Sequence, residues 1–286
     1  MKARTSSTGM LLLILMFIAV NASSQTLHYS GSAQFSVGDY IFSEQTNSLY
    51  LANQLGLSHQ RFAARLTVPV VRQNSPWVSY TTAGSVSTGG PAQGEVRGRG
   101  DQSGQGRRGG DPITVVDTSD FKTIAVSDPS LTLSFSLLND MFQGRSVQVR
   151  GSAKAPVSQP DDGFGTGAWD YSLGVSAMRR LRRAVVFVDV AYWVLGDMEE
   201  LSLNNSLSYG LSFGRSLGDG SDTVLASFSG STVIVPGTEP ALLVGLGLGH
   251  SFDSGNGVSA NASIGLTESA PNVSVGVGWR IGLKKW

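Results

Sequence analysis

Five basic side chains and one acid occupy regularly spaced positions where apolar residues alternate with small or polar ones. Because successive side chains of a strand point to opposite faces, parity places all six on the face that is not apolar. An unpaired charge in a low-dielectric wall is costly, so these groups must pair or face water. One predicted strand lies between the acid, Asp189, and Arg150, a separation that a long arginine side chain can span. The bases are Arg65, Arg150, Lys154, Arg280 and Lys284.

This set has an excess of positive charge even if Arg150 pairs with Asp189. Rings of arginine and lysine in a pore favour anions, so the pattern predicts a modest anion preference, with Arg150 and Arg280 contributing most. Two of the bases lie close to strand ends, where rim positions or pairing with loop acids are expected. Those bases are Lys154 and Lys284, and the loop acids are Asp161, Asp162, Glu199 and Glu200.

The residues that usually carry catalysis are poorly arranged here. The three histidines, His28, His59 and His250, lack metal-ligand spacing, and the chain has no cysteine. No nucleophile-elbow sequence is present, and the glycine-rich runs lack the strand-to-helix context of a phosphate-binding loop. We predict no catalytic residues, no metal and no cofactor. A serine–histidine pair across a barrel wall remains as an alternative.

One long segment, residues 73–129, has a different composition. Its centre, residues 84–111, is rich in glycine and arginine and cannot bury apolar surface, which predicts a mobile loop or a loop folded into a mouth. A solvated loop is the simplest interpretation. A binding surface is the alternative, and its candidate residues are Arg97, Arg99, Arg107 and Arg108.

The elements that must position these residues are strands. The clearest is the last, where Val273, Val275, Val277 and Trp279 alternate with serine and glycine. One face is apolar and the other small, which favours an apolar face turned to lipid around a crowded or water-filled lumen. Pro69 weakens the end of the third strand. Twelve strands are predicted, at 27–37, 48–58, 61–72, 130–138, 146–156, 170–179, 184–194, 205–216, 222–230, 241–251, 257–267 and 272–283.

The links between these strands alternate between short and long along the chain. Outer-membrane barrels show this asymmetry, with short periplasmic turns and longer outside loops. The even strand number places both termini on the periplasmic side. The predicted fold is an all-β, closed antiparallel transmembrane barrel of about twelve strands. A further strand pair within 73–129 would make fourteen.

The amino terminus predicts export. Lys2 and Arg4 precede eleven apolar residues, Met10 to Val20, a run too short to span a bilayer as a helix. We predict a cleaved signal peptide over residues 1–22 and a barrel over 23–286, located in the outer membrane of a Gram-negative bacterium. The formal net charge is zero, so nothing suggests a nucleic-acid partner.

The middle of the chain contains a series of short motifs. They are Lys154-Ala155-Pro156, Gly165-Thr166-Gly167, Asp170-Tyr171-Ser172-Leu173-Gly174, Tyr192-Trp193 and Gly196-Asp197. On these motifs the chain, from about Asp128 to Trp286, resembles the outer-membrane channel family linked to the meta-cleavage pathway of phenol degradation. It departs from that pattern at Val157-Ser158, and the Arg/Gly-rich loop is additional. The resemblance implies passage of small hydrophobic or aromatic compounds and supplies no catalytic residues.

Together these features predict a passive channel for small molecules. A structural or surface-interaction barrel with a plugged lumen is the alternative, and a barrel-embedded hydrolase comes third. The expected partners are outer-membrane lipid, a small solute and the barrel assembly machinery, which commonly handles barrels ending in an aromatic residue such as Trp286. Trp286 is out of phase with Trp279 and Ile281, so a twist or bulge is expected at Lys284-Lys285. The sequence leaves the oligomeric state open.

Overall fold

A computed structural model describes residues 25–42, 45–75, 78–81, 84–87, 123–140, 143–158, 164–198, 201–218 and 220–285. Within these ranges the regular elements are all strands, and no helix is long and apolar enough to cross a membrane. The strands are β1 (Gln25–Gly38), β2 (Thr46–His59), β3 (Phe62–Gln73), β4 (Val78–Thr81), β5 (Gly84–Ser87), β6 (Ile124–Val126), β7 (Ser130–Asp140), β8 (Arg145–Lys154), β9 (Asp170–Leu181), β10 (Ala184–Val194), β11 (Ser206–Leu217), β12 (Asp222–Ser231), β13 (Leu242–Ser251), β14 (Gly257–Gly265) and β15 (Val273–Lys285).

Twelve of these strands close into a barrel. Strand β1 pairs antiparallel with both β2 and β15, and the ring runs on through β3 and β7 to β14. The predicted fold class and strand number are therefore confirmed. The short strands β4 and β5 pair only with each other, as a hairpin outside the wall, so the fourteen-strand alternative is wrong. Strand β6 extends the pairing of β3 beyond the end of β7.

Alternation gives the barrel an apolar outer face. Register places Val277 beside Ala33 and Ala260, and Leu211 beside Val188 and Phe228. Aromatic side chains lie near both ends of this face: Trp169 stacks on Tyr171 at one end, and Phe62 contacts Phe135 near the other, with ring centroids 6.1 and 4.8 Å apart. An apolar band between aromatic girdles is typical of barrels that span a bilayer.

The two ends of the barrel differ. At the short-turn end, β2 joins β3 through Gln60 and Arg61, and β9 joins β10 through Arg182 and Arg183. Gln60 and Arg182 have φ of 51° and 57°, in the left-handed region that tight hairpin turns use. The opposite end, here the long-loop end, carries the longer links. The predicted alternation of short and long connections is present.

The wall changes between β6 and β7, next to Pro69. Strand β3 continues to Gln73, but its partner leaves the ladder at residues 127–129. Pro129 lacks an N–H for the ladder, and Asp128 turns inward to contact Lys154. The proline in β3 is tolerated because it faces this interrupted stretch: its carbonyl accepts from the Ser127 N–H at 3.0 Å, and the missing Pro69 N–H points to the same side, where the regular ladder is absent. The weakened end predicted for this strand is instead an interruption in its neighbour.

A bulge interrupts the last strand. His28 pairs with Gly282, whereas Leu27 pairs with Lys284, so Leu283 is the extra residue. The phase change expected at Lys284-Lys285 therefore occurs one residue earlier. Parity past the bulge is reversed in the backbone register, where Lys284 pairs with Leu27. The inward placement of the Lys284 side chain stays a prediction. Trp286 lies outside the described residues.

Candidate functional site

Half of the lumen wall is lined by small residues. From β11 to β15 the inward positions are mostly glycine and serine, which leave space that larger side chains would fill. Register places these residues on one face, because most pair directly with one another or with Gln34 or Asp189, and Gly247 and Gly278 pair with the inward residues Asn261 and Ser259. They include Gly210, Ser212, Ser227, Ser229, Gly245, Gly247, Ser263, Gly276 and Gly278.

Three side chains on β8, β9 and β10 form a charged bridge on the inner face of the remaining strands. The Arg150 Nη2 atom forms an ion pair with Asp189 Oδ1, and Arg150 Nη1 donates to Ser176 Oγ at 2.8 Å. Ser176 in turn donates to Asp189 Oδ2 at 2.7 Å. The three residues lie on β8, β9 and β10, so the arginine reaches across one strand, as predicted. Ser176 was not predicted to contribute, because a serine among many has no distinguishing signal.

Two further arginines stand near this bridge. Arg65 lies opposite Thr132, which lies opposite Ser152, one inward position from Arg150. Arg65, Gly56, His28 and Gly282 form one register row across β3, β2, β1 and β15, and Arg280 is the next inward position on β15. Neither Arg65 nor Arg280 makes an ion pair with a described residue. His28 lies beside them, its ring packed on Gly56. The four predicted lumen candidates thus lie together, with three positive charges and one negative.

One inward position is exposed and aromatic. Phe187 lies two residues from Asp189 on the same face of β10, and 41% of it is exposed. The segment 184–194 is apolar on both faces apart from Asp189, so periodicity does not distinguish this ring from the lipid-facing residues. Its register neighbours, Met178 and Ser212, are also on inward positions.

A buried ionic cluster lies at the long-loop end of the lumen. Lys154 Nζ is 3.0 Å from Asp128 Oδ2, 3.2 Å from Asp170 Oδ2, and donates to Thr166 Oγ1 at 2.8 Å. The lysine is only 2% exposed. The predicted partners of Lys154 were loop acids at 161, 162, 199 and 200, which lie outside the described residues. Its observed partners are Asp128 and Asp170 instead.

This cluster, here the lysine latch (Lys154, Asp128, Asp170 and Thr166), ties three loops to the wall. Asp128 Oδ1 accepts from the N–H groups of residues 157 and 158, both at 2.8 Å. Asp170 Oδ1 accepts from the Gly196 N–H at 3.1 Å, and Ser127 Oγ donates to the buried carbonyl of Phe164 at 2.9 Å. The latch therefore consists largely of residues from the motifs that carry the family resemblance.

Apolar side chains fill part of the long-loop end. One cluster joins the β10–β11 link to the β12–β13 link through Leu195, Met198, Leu201, Leu203, Ile234 and Val235. A second joins the β1–β2 link to β4 through Tyr40, Ile41, Phe42 and Val78. The start of the 73–129 segment therefore folds onto the barrel. A cavity of about 360 Å³ reaches from Ile234 and Ala270 inward to Asp189.

The remaining candidates do not form a site among the described residues. Arg97, Arg99, Arg107 and Arg108 lie outside the described ranges. His250 Nδ1 contacts Asp222 Oδ1 at 2.7 Å at the short-turn end of β13. In the part of the chain that the structure describes, no serine hydroxyl bonds to a histidine, and no group of three or more acids and histidines could hold a metal ion.

Comparison with known proteins supports the fold. No family model matches the chain, and no curated protein matches it. The chain is similar to the COG4313 outer membrane channel from Pseudomonas putida F1, with 12% identity over 93% of this chain and 97% of that one and a TM-score of 0.57. It also matches the KdgM porin, at 8% identity over 89% and 99% of the two chains and a TM-score of 0.45. At these identities the likeness concerns the fold, a closed twelve-stranded antiparallel barrel like that of outer-membrane channels.

Proposed function

We propose that this chain is a channel for passive passage of small molecules across the outer membrane of a Gram-negative bacterium. The observation that carries the proposal is the lumen: its wall from β11 to β15 is mostly glycine and serine, and Arg65 and Arg280 have no counterion among the described residues. A plugged core would fill such positions with large side chains. Residues 1–22 serve as the export signal, and the long-loop end faces outward.

The lumen charge gives the channel a preference for anions. Three arginines stand against one acid, and Asp189 is already bonded to Arg150. Arg150→Ala removes one positive charge and leaves the negative charge of Asp189 exposed to the lumen. Arg280→Gln also removes one positive charge, so both substitutions should lower the anion preference by a similar amount. Removing the acid with Asp189→Asn should raise it.

Planar bilayers test this proposal. The refolded chain should give discrete conductance steps, and its reversal potential in a salt gradient should show anion preference. Arg215→Gln, on the outward register of β11, is the matched control and should leave the potential unchanged. Cation preference in the native channel, or no effect of Arg150→Ala and Arg280→Gln, would contradict the electrostatic part alone.

A barrel that acts through its surface loops is the second candidate. The two apolar clusters at the long-loop end favour it, because folded loops narrow the mouth. A folded, heat-modifiable barrel with no conductance would support this alternative over the channel.

The resemblance to the phenol-pathway channel family extends the proposal to the solute. It favours small hydrophobic or aromatic compounds, and nothing in the lumen chemistry requires a cofactor. Lipid around the outer face and the barrel assembly machinery are the other partners we propose.

A further inference from the structure

We propose that the lumen holds a binding site for a small carboxylate with an apolar body, bound between Arg65 and Arg280 on one side and Phe187 on the other. This inference rests on the proposed channel function and names its solute class.

The first step concerns the free donors. Arg150 is committed, since both of its terminal nitrogens bond to Ser176 and Asp189. Arg65 and Arg280 have neither a hydrogen bond nor an ion pair to a described residue, and both are exposed within the lumen. Like charges held together without a counterion favour a mobile anion between them. Guanidinium forks match the two oxygens of a carboxylate.

The second step concerns the other acids of the lumen. Among the described residues, Asp128 and Asp170 are further carboxylates on inward or inward-turned positions, and both form ion pairs with Lys154 at the long-loop end. Neither is available to neutralise Arg65 or Arg280. No described carboxylate therefore neutralises Arg65 or Arg280, and a diffusing anionic solute can take that place.

The third step concerns the facing wall. Around the ring, β1 and β2 separate β15 from β3, and β10 lies on the opposite side of the barrel. Phe187 therefore faces the arginine pair across the lumen. It lies two residues from Asp189, which forms an ion pair with Arg150, and Arg150 is one inward position from Ser152, in the register row of Arg65 and Thr132. An exposed phenyl ring on a wall of small polar residues is a surface that an apolar solute would cover.

Single-channel block by sodium benzoate is the direct test. Benzoate has the carboxylate and the ring, acetate has only the carboxylate, and benzamide has only the ring. We expect benzoate to interrupt the chloride current at concentrations at least tenfold below those of acetate or benzamide. Inorganic phosphate, which lacks an apolar body, should block no better than acetate.

Substitutions at Arg65, Arg280 and Phe187 test whether these residues bind the benzoate that blocks the current. Arg65→Lys and Arg280→Lys keep the charge but lose the fork, so anion preference should persist while benzoate block weakens about tenfold, as loss of a charge-assisted hydrogen bond implies. Phe187→Ala should weaken benzoate block toward the acetate value, and Phe187→Leu should restore most of it. Arg215→Gln should change nothing. The folded state of each variant is checked by heat-modifiable mobility.

Failure of this inference differs from failure of the channel proposal. A channel that conducts and prefers anions, but is blocked equally by benzoate and acetate, would overturn the site and leave the channel standing. Equal block in the Phe187→Ala and native channels would do the same. Absence of any conductance in the folded barrel would overturn both.

Discussion

At the scale of single residues, the two glycines of the Gly165-Thr166-Gly167 motif are required for different reasons. A Cβ on Gly165 would overlap Ser158 Oγ and lie 2.6 Å from Asp128 Oδ2, inside the lysine latch. Gly167 differs, because it has a φ of 67° and supplies a turn. Glycine can adopt the positive φ that a tight turn requires, and this general property explains Gly167. It does not reveal the contact at Gly165, because that depends on a residue 37 positions earlier in the chain.

Gly165→Ala should therefore destabilise the barrel. The added methyl group displaces Ser158 or Asp128 from the latch, and overpacking of this kind costs about 1–3 kcal/mol. Gly210→Ala is the matched control, since its nearest neighbour, the Asp189 Cβ, would be 3.8 Å away, an ordinary contact. Urea unfolding of the refolded chains in lipid measures both. Equal midpoints for the two variants would contradict the close contact at Gly165.

The latch itself predicts a larger effect. Lys154→Met removes the only cation that forms an ion pair with Asp128 and Asp170 among the described residues, so two buried carboxylates lose that ion pair. Breaking a buried pair in this way costs about 3–5 kcal/mol. Arg145→Gln breaks the exposed Arg145–Asp140 pair and should cost less than about 1 kcal/mol. The same unfolding assay compares them, and a small loss for Lys154→Met would show that the latch adds little.

At the scale of elements, periodicity predicted all twelve wall strands, because all but β10 have an apolar outer face and a mostly small or polar inner one. It did not predict the interruption at residues 127–129, since that depends on Asp128 finding Lys154 on the next strand. It also did not predict the inward placement of Phe187, because β10 is apolar on both faces. In the candidate site, the alternation of residues along each strand predicted which charged residues point inward. The partners of Lys154 could not be predicted, because Asp128 and Asp170 come close to it only in the folded chain.

The last strand carries a prediction about assembly. The bulge at Leu283 supplies the phase change that the terminal aromatic residue needs. We expect deletion of Trp286 to lower the amount of protein inserted without altering the inserted form. Membrane fractionation with heat-modifiable electrophoresis measures both quantities, and deletion of an exposed loop residue, Ser254, serves as a control. Normal membrane levels of the truncated chain would show that Trp286 is not an assembly signal.

At the scale of the whole molecule, proteolysis of intact cells tests which end of the barrel faces the cell exterior. The long-loop end should face outward, so trypsin added to intact cells should cut within residues 84–111, at Arg97, Arg99, Arg107 or Arg108. The short-turn arginines at 182 and 183 should be protected until the outer membrane is opened. Cleavage only after opening would reverse the orientation.

The order in which the strands pair around the barrel has a consequence for how the chain folds. Ten of the twelve neighbour pairs in the wall are hairpins between consecutive wall strands that directly follow one another in the described chain, while β3–β7 and β1–β15 join distant segments. The barrel is thus two hairpin ladders, β1–β3 and β7–β15, joined at two seams. Local hairpins form early, and distant pairs bear the loop-closure entropy, so the seams should close last. A single cut between β5 and β6 would leave the two ladders associated, and the fragments should separate only when the barrel is unfolded.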